Sequence, residues 1–268
     1  MRTGKFRRDH RGNGATDRDG SRPSGGGDSS RSFVIGPHAL EALIAKAIGR
    51  VIEIWSAAPN SAVVESARRA GVRVTETSRE KISQICGTES HQGILCFVKP
   101  RNFESLDGLI ERIEGKPDGG ALVVMLDGIN DPHNLGACLR ACECFGVDGV
   151  VFSKNRGAPI TPVVSKTSVG ASELVPIISV SNLAQTQLKL AEVGFESVST
   201  AIDQRAKSLT EFSFPARTLL ILGAEGPGVQ PLLLRKSEHV VYIPMFGAID
   251  SLNVSQALAV TLSWARGG

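Results

Sequence analysis

Apolar and polar positions along the chain fall into two stretches of alternating strand and helix signals, preceded by a segment with almost no apolar content. In the first stretch, Ala39, Leu40, Leu43, Ile44 and Ala47 form one stripe at helical spacing, predicting a helix over Pro37–Ala47. Val51–Ser56 reads as a strand, and Asn60 as the cap of a helix that ends at Gly71. Val72–Thr75 is a short strand, Ser78–Ile85 a short helix and Gly93–Val98 a last strand. In the second stretch, Leu122–Leu126 is a continuous apolar run of the kind buried on both faces of a parallel sheet. A helix over Asn134–Phe145 closes at Gly146. Strands are predicted at Gly149–Phe152, Leu174–Ile178, Phe195–Thr200, Leu219–Leu222 and Val240–Ile243. Helices are predicted at Leu183–Ala191, Val229–Leu234 and Asn253–Ala265. Alternation of this kind implies an α/β fold with helices covering a sheet.

Punctuation sets the expected domain bounds. Residues 1–31 are rich in Gly, Arg, Ser and Asp, cannot bury enough surface to offset ordering entropy, and read as a disordered basic tail. Residues 32–99 form a small α/β domain, and 100–119 a linker with one short helix, Leu106–Ile113. The run Gly115-Lys-Pro-Asp-Gly-Gly120 places the boundary before a second α/β domain, 120–268. The net charge of +3 is uneven. Residues 1–31 hold eight Lys/Arg against four Asp/Glu, and the remainder holds 22 against 23. The basic excess sits in the tail, where it is either a solvated leader or an arm attracted to nucleic acid.

Several classes are disfavoured. No uncharged apolar run reaches the roughly 18 residues of a membrane span, and the N-terminus has no apolar core like that of a secretory signal. The five cysteines, Cys86, Cys96, Cys138, Cys142 and Cys144, include no Cys-x-x-Cys pair. They are expected to be free thiols of a reducing compartment, the cytoplasm, with no metal site.

Three loops carry candidate chemistry. The first runs from Leu126-Asp-Gly-Ile-Asn-Asp-Pro-His to Asn134 and on to Arg140. Asn134 either caps the helix or reaches a ligand; Arg140, among Ala, Cys and Leu, either pairs with Glu143 or serves a site; His133 reads as loop-stabilising. The second is Gly223-Ala-Glu-Gly-Pro-Gly228, whose glycines permit positive φ and close approach. It lacks the Gly-Lys-Ser/Thr of a phosphate loop, and Glu225 repels phosphate, so it suits a ligand with amine, hydroxyl or cationic groups. Glu225 is alternatively the acid at the start of the helix from Val229. The third is Ile243-Pro-Met-Phe-Gly-Ala-Ile-Asp-Ser251-Leu-Asn-Val-Ser255, in which Asn253 and Gln256 have capping-box spacing. The helix that follows is uncharged from Val254 to Ala265, so it is buried in a core or between subunits.

In this order the three loops resemble the motifs of the SpoU/TrmH branch of the SPOUT family, RNA ribose 2′-O-methyltransferases. The stretches Val34-Ile-Gly-Pro-His-Ala-Leu-Glu-Ala-Leu and His91-Gln-Gly-Ile-Leu resemble the L30e-like RNA-binding domain of one subgroup, whose members include enzymes acting on a guanosine of 23S rRNA. The resemblance implies a deep trefoil knot in the C-terminal domain, a homodimer with its active site near the interface, and S-adenosyl-L-methionine as cofactor. It assigns Leu222, Gly223, Gly228, Ile243, Met245, Ser251, Leu252 and Asn253 to the cofactor, and Arg140, Asn134, Glu225 and Asn253 to catalysis. The resemblance makes Arg140 either the base or, because arginine stays charged at neutral pH, a cation that holds the adjacent phosphate and stabilises the developing alkoxide. Lys46, Arg50, Arg68 and Arg69 are candidate RNA contacts. The expected substrate is rRNA; a tRNA methyltransferase of the same family and a non-catalytic RNA-binding or ribosome-assembly protein are the alternatives.

Overall fold

The structure, a computed structural model, describes residues 32–117 and 119–267; the expected tail, 1–31, lies outside them. The small domain runs β1 (Phe33–Ile35), α1 (Pro37–Lys46), β2 (Val51–Ser56), α2 (Ala62–Arg69), β3 (Arg73–Glu76), α3 (Arg79–Cys86) and β4 (Ile94–Val98). Its sheet has the order β1-β4-β2-β3, antiparallel except for the β2–β3 pair. Ser61, not Asn60, precedes α2 as its cap residue. Three-residue β1 is too short to show a period and escaped the sequence pattern.

The chain continues through α4 (Leu106–Glu114), β5 (Ala121–Asp127), α5 (Pro132–Cys144), β6 (Gly149–Ser153), α6 (Pro162–Thr167), β7 (Ile177–Val180) and α7 (Leu183–Glu192). It then forms β8 (Glu196–Thr200), β9 (Lys207–Ser208), β10 (Arg217–Gly223), α8 (Pro231–Lys236), β11 (His239–Tyr242) and α9 (Val254–Gly267). These strands make one parallel sheet of order β7-β6-β5-β10-β8-β11-β9. The strand expected over Leu174–Ile178 begins only after Pro176, because a tight turn at Ala171–Glu173 occupies the approach. Helix α6, missed in the sequence, starts on a Thr161 cap with Pro162 in its first turn.

The apolar run of β5 divides between two cores, as period-two side chains require. Leu122, Val124 and Leu126 face α5 and α9, whereas Ala121, Val123 and Met125 face α4, α7 and α8. Helix α4 is therefore more than a tether: Leu109 and Ile113 are buried in the second of these cores. Cys138 and Cys142 lie in the first core, and burial pushes the Cys138 thiol up to about 12.

A polar seam joins the small sheet to the large one. Arg50 Nη1 donates to Glu173 Oε2 at 2.5 Å, and Arg50 Nη2 to the Lys99 carbonyl at 3.2 Å. Arg101 Nη2 donates to the Val175 carbonyl at 2.5 Å. The Glu173 side chain is only 4% exposed. Arg50 is thus committed to this seam and withdrawn from the RNA-contact candidates, a partnership across 123 residues that local sequence pattern does not reveal. Burial, reinforced by the Glu173 charge, pushes the neighbouring Cys96 thiol up to about 12. Arg50→Met leaves Glu173 buried without its cation, and is expected to cost about 3 kcal/mol of unfolding free energy. Urea unfolding measures this; a loss under about 0.5 kcal/mol would mean the pair behaves like an exposed one.

Candidate cofactor and catalytic site

The large sheet reverses its order of construction at β5 and β10. From β5 the chain builds outward through β6 and β7, then crosses to β8, and β10 later fills the gap between β5 and β8. Open α/β sheets gather ligands at the carboxyl ends of strands at such a switch point. The last pairing of the ladder joins Gly223 to Asp127, so the first and second loops leave the sheet side by side.

In the first loop Asp131, rather than Asn134, caps α5, its carboxylate accepting from the His133 and Asn134 backbone N–H groups at 3.1 and 3.2 Å. Pro132 at the first helical position fixes the start there. The Asn134 side chain is left for other partners. In the second loop, Gly228 N–H donates to the Ala224 carbonyl at 2.9 Å. Gln230 N–H donates to Asp127 Oδ2 at 2.7 Å, and the Gln230 side-chain amide donates to Asp127 Oδ1. Buried Asp127 thereby clamps the second loop to the end of β5. Helix α8 starts at Pro231, not Val229, so Glu225 lies outside its first turn.

Glu225 meets the other two loops instead. Its Oε1 accepts from Asn134 Nδ2 at 3.2 Å and from Asn253 Nδ2 at 2.6 Å. Asn253 Nδ2 also lies 2.8 Å from Asn134 Oδ1. Asn253 caps α9 through Ser255, whose N–H and Oγ donate to Asn253 Oδ1 at 2.9 and 2.7 Å; Ser255 takes the place expected for Gln256. Among the described residues Glu225 Oε2 has no protein partner, leaving one acceptor of this cluster open.

Beside the cluster lies a cavity of about 260 Å³. Leu222, Gly223, Gly228, Ile243, Met245, Ser251 and Leu252 all line it, as does Glu225; Asn253 does not. Sequence reasoning missed Thr200, Ala201 and Ile202, which form another wall. The available signal was that their strand, β8, ends next to β10. The walls are chiefly aliphatic side chains and glycine backbone, with the Glu225 and Asp250 carboxylates and the Thr200 and Ser251 hydroxyls as polar points. That suits a flat ring held between aliphatic groups and a cationic centre near a carboxylate. Among the described residues no cluster of His, Cys, Asp and Glu is placed to hold a metal.

Arg140 does not join this cluster within one chain. It is exposed on α5, six residues beyond Asn134, a rise of about 9 Å along the helix. Among the described residues it pairs with no acid, Glu143 included. Helix α9 packs against α5. It buries Val254, Leu258, Thr261 and Leu262 and leaves Val260 and Trp264 partly exposed, so the helix, uncharged up to Ala265, is covered on one face only.

Residues 121–263 match the SpoU rRNA methylase family, and residues 33–104 match the RNA 2′-O ribose methyltransferase substrate-binding family. The chain belongs to the SpoU rRNA methylase family. Its α/β sheet domain is the methylase part, and the small mixed-sheet domain is the substrate-binding part. The chain is 36% identical to the 23S rRNA (guanosine-2′-O-)-methyltransferase RlmB of Ralstonia nicotianae, covering 87% of this chain and 94% of that one. The enzyme of the same name from Pseudomonas syringae pv. tomato is 38% identical, over 85% and 92% of the two chains. Among solved structures, an AdoMet-bound rRNA methyltransferase from Sinorhizobium meliloti superposes with a TM-score of 0.71 at 21% identity, over 88% of this chain and 87% of that one. The SpoU methyltransferase AviRb from Streptomyces viridochromogenes, in complex with AdoMet, gives 0.71 at 19% identity over 88% and 89%. These likenesses extend the SpoU fold across both domains. No helix among the described residues is long and apolar enough to cross a membrane.

Proposed function

We propose that this SpoU methylase transfers a methyl group to the ribose 2′-oxygen of a guanosine in 23S rRNA, using S-adenosyl-L-methionine, in the cytoplasm. One observation carries the reading: Glu225 belongs both to the cavity wall and to the Asn134–Glu225–Asn253 cluster. A ligand pocket and a set of groups able to hold a hydroxyl therefore share one rim. The curated relatives at 36% and 38% identity, named for that reaction, support the choice of substrate.

Leu222, Ile243 and Leu252 would grip the cofactor's adenine, with the Gly223 and Gly228 backbone against it and Met245 and Ser251 completing the wall. When bound, it supplies a methyl group on a cationic sulfur. The protein's own task is to hold the ribose oxygen in line with that methyl and to accept its proton. Glu225 Oε1 is held by two amide donors, so Oε2 faces the acceptor hydroxyl as a fixed hydrogen-bond acceptor. Arg140 supplies positive charge to the adjacent phosphate and the developing alkoxide. It would do so from a second copy: Arg140 is exposed on α5, Val260 and Trp264 are exposed on α9, which packs against α5, and we assign these exposed helix surfaces to a homodimer interface. The trefoil threading implied by the family agrees with the path of residues 243–253. These cross from the end of β11 past the second loop and place α9 on α5. We assign RNA contact in the 32–99 domain to Lys46, Arg68 and Arg69, on helices α1 and α2 that pack together.

Calorimetry with S-adenosyl-L-methionine and mapping of ribose methylation in 23S rRNA from cells lacking the protein test this reading. The expected outcome is saturable cofactor binding and one missing 2′-O-methylguanosine that the restored gene returns. Absence of cofactor binding defeats the enzyme reading, and a missing methyl in tRNA alone moves the substrate.

A further inference from the structure

We infer that Phe246 is the platform on which a base of the substrate RNA stacks as the acceptor ribose enters the site; the inference rests on the function proposed above. Phe246 is 97% exposed, more than any other large apolar side chain among the described residues. Its neighbour Met245 lines the cavity, and the loop that carries both ends at Asn253, a member of the Glu225 cluster. Ile202, 90% exposed, lines the cavity from the β8 side. The ring thus stands in water one residue along the chain from the cavity lining. Folding gives no reason for this placement, because an isolated exposed phenyl forgoes its burial. Several other aromatics are paired: Trp55 meets Phe97 edge-on, Phe103 meets Phe152, and Phe212 meets Phe214; Tyr242, which lines the cavity, is 40% exposed, less than half the exposure of Phe246.

Sequence-specific RNA recognition chiefly targets single-stranded loops whose bases can be splayed out, and a guanosine presented in that way reaches the Glu225 rim with its base unstacked. Proteins that read unstacked bases replace the lost stacking with aromatic faces. No backbone hydrogen bond among the described residues ties 244–252 to the rest of the fold, so the ring can settle against a base without breaking structure. Other exposed apolar side chains of the same loop, Ile249 and the cavity-lining Leu252, offer edge contact rather than a flat face.

The test compares Phe246→Ala, Phe246→Leu, Phe246→Tyr and Phe246→Trp in the full-length protein. Three quantities are read: calorimetric affinity for S-adenosyl-L-methionine, molar mass by light scattering, and methyl transfer to an unmodified 23S rRNA transcript. Alanine and leucine are expected to lower kcat/KM for RNA by roughly 10- to 100-fold, the range of one base–aromatic stack, with tyrosine and tryptophan near wild type. Cofactor affinity and molar mass stay unchanged. Wild-type rates in Phe246→Leu overturn the inference. So does a parallel loss of cofactor affinity, which makes the ring part of the cofactor pocket, or a loss of the oligomer, which makes it a subunit contact. If the wild-type protein methylates no RNA, the proposed function fails, and Phe246→Trp still decides the stacking. Its added emission is quenched by bound rRNA transcript if a base stacks there, and an unquenched signal with RNA bound refutes it.

Discussion

Gly223→Ala is expected to abolish cofactor binding within the reach of calorimetry, a loss of at least about 100-fold, and to lower thermal stability. A Cβ at this position would stand 1.9 Å from the Gly228 carbonyl carbon and 2.1 Å from both the Gly228 oxygen and the Val229 nitrogen. These are backbone atoms of the second loop, so no rotamer change relieves the clash, and the loop itself must move. Movement is resisted because Asp127 holds the far end of the loop at Gln230. Overpacking of this kind costs roughly 1–3 kcal/mol or more of stability, and the displaced segment is a wall of the cavity. Gly226→Ala provides the contrast. Gly226 has φ of +83°, and nothing lies within 4 Å of its would-be Cβ. That substitution carries only the backbone strain of a left-handed residue, about 1–2 kcal/mol, and should bind cofactor within a few fold of wild type. Equal titrations for Gly223→Ala and wild type would show that the second loop does not shape the pocket.

The second large effect belongs to Arg140. Arg140→Ala is expected to lower methyl transfer by about 10²–10³-fold, the usual consequence of removing one preorganised group that stabilises developing charge. Cofactor affinity should not change, since Arg140 does not line the cavity. Arg140→Lys keeps the charge and loses the fork, and should recover only a small part of the rate. Mixing two inactive variants, Arg140→Ala and Glu225→Ala, tests whether the site is shared between copies. In a homodimer with composite sites, half of the randomly mixed dimers carry one intact site, which restores about a quarter of the wild-type rate. No recovery on mixing would place both groups in one chain, against the approximately 9 Å rise that separates Arg140 from Asn134 along α5.

The parts of the fold and site that sequence made legible are those encoded by local chemistry. The uninterrupted apolar runs of β5 and β10 marked the centre of the sheet, and the glycine-, proline- and asparagine-rich loops beyond them marked where a ligand belongs. What stayed hidden depends on distant partners or very short elements. Two-residue β9 has no period to read. Asn134 had the chemistry of a cap, but Asp131 ahead of Pro132 outcompeted it, and the released amide found Glu225 across 91 residues. The glycines of the second loop were read as openings toward a ligand; at Gly223 the absent side chain makes room for the loop's own backbone. Arg50 looked like a free surface cation because its acid lies in the other sheet's territory.

The Arg50–Glu173 and Arg101–Val175 contacts make the distance from α1 to the methylation site a fixed ruler rather than a flexible leash. If α1 touches RNA as proposed, target choice becomes a matter of measured reach across a folded RNA. A chimaera that imports another enzyme's small domain would address new RNA only if the imported piece carried counterparts of Arg50 and Arg101 to meet Glu173 and the Val175 carbonyl.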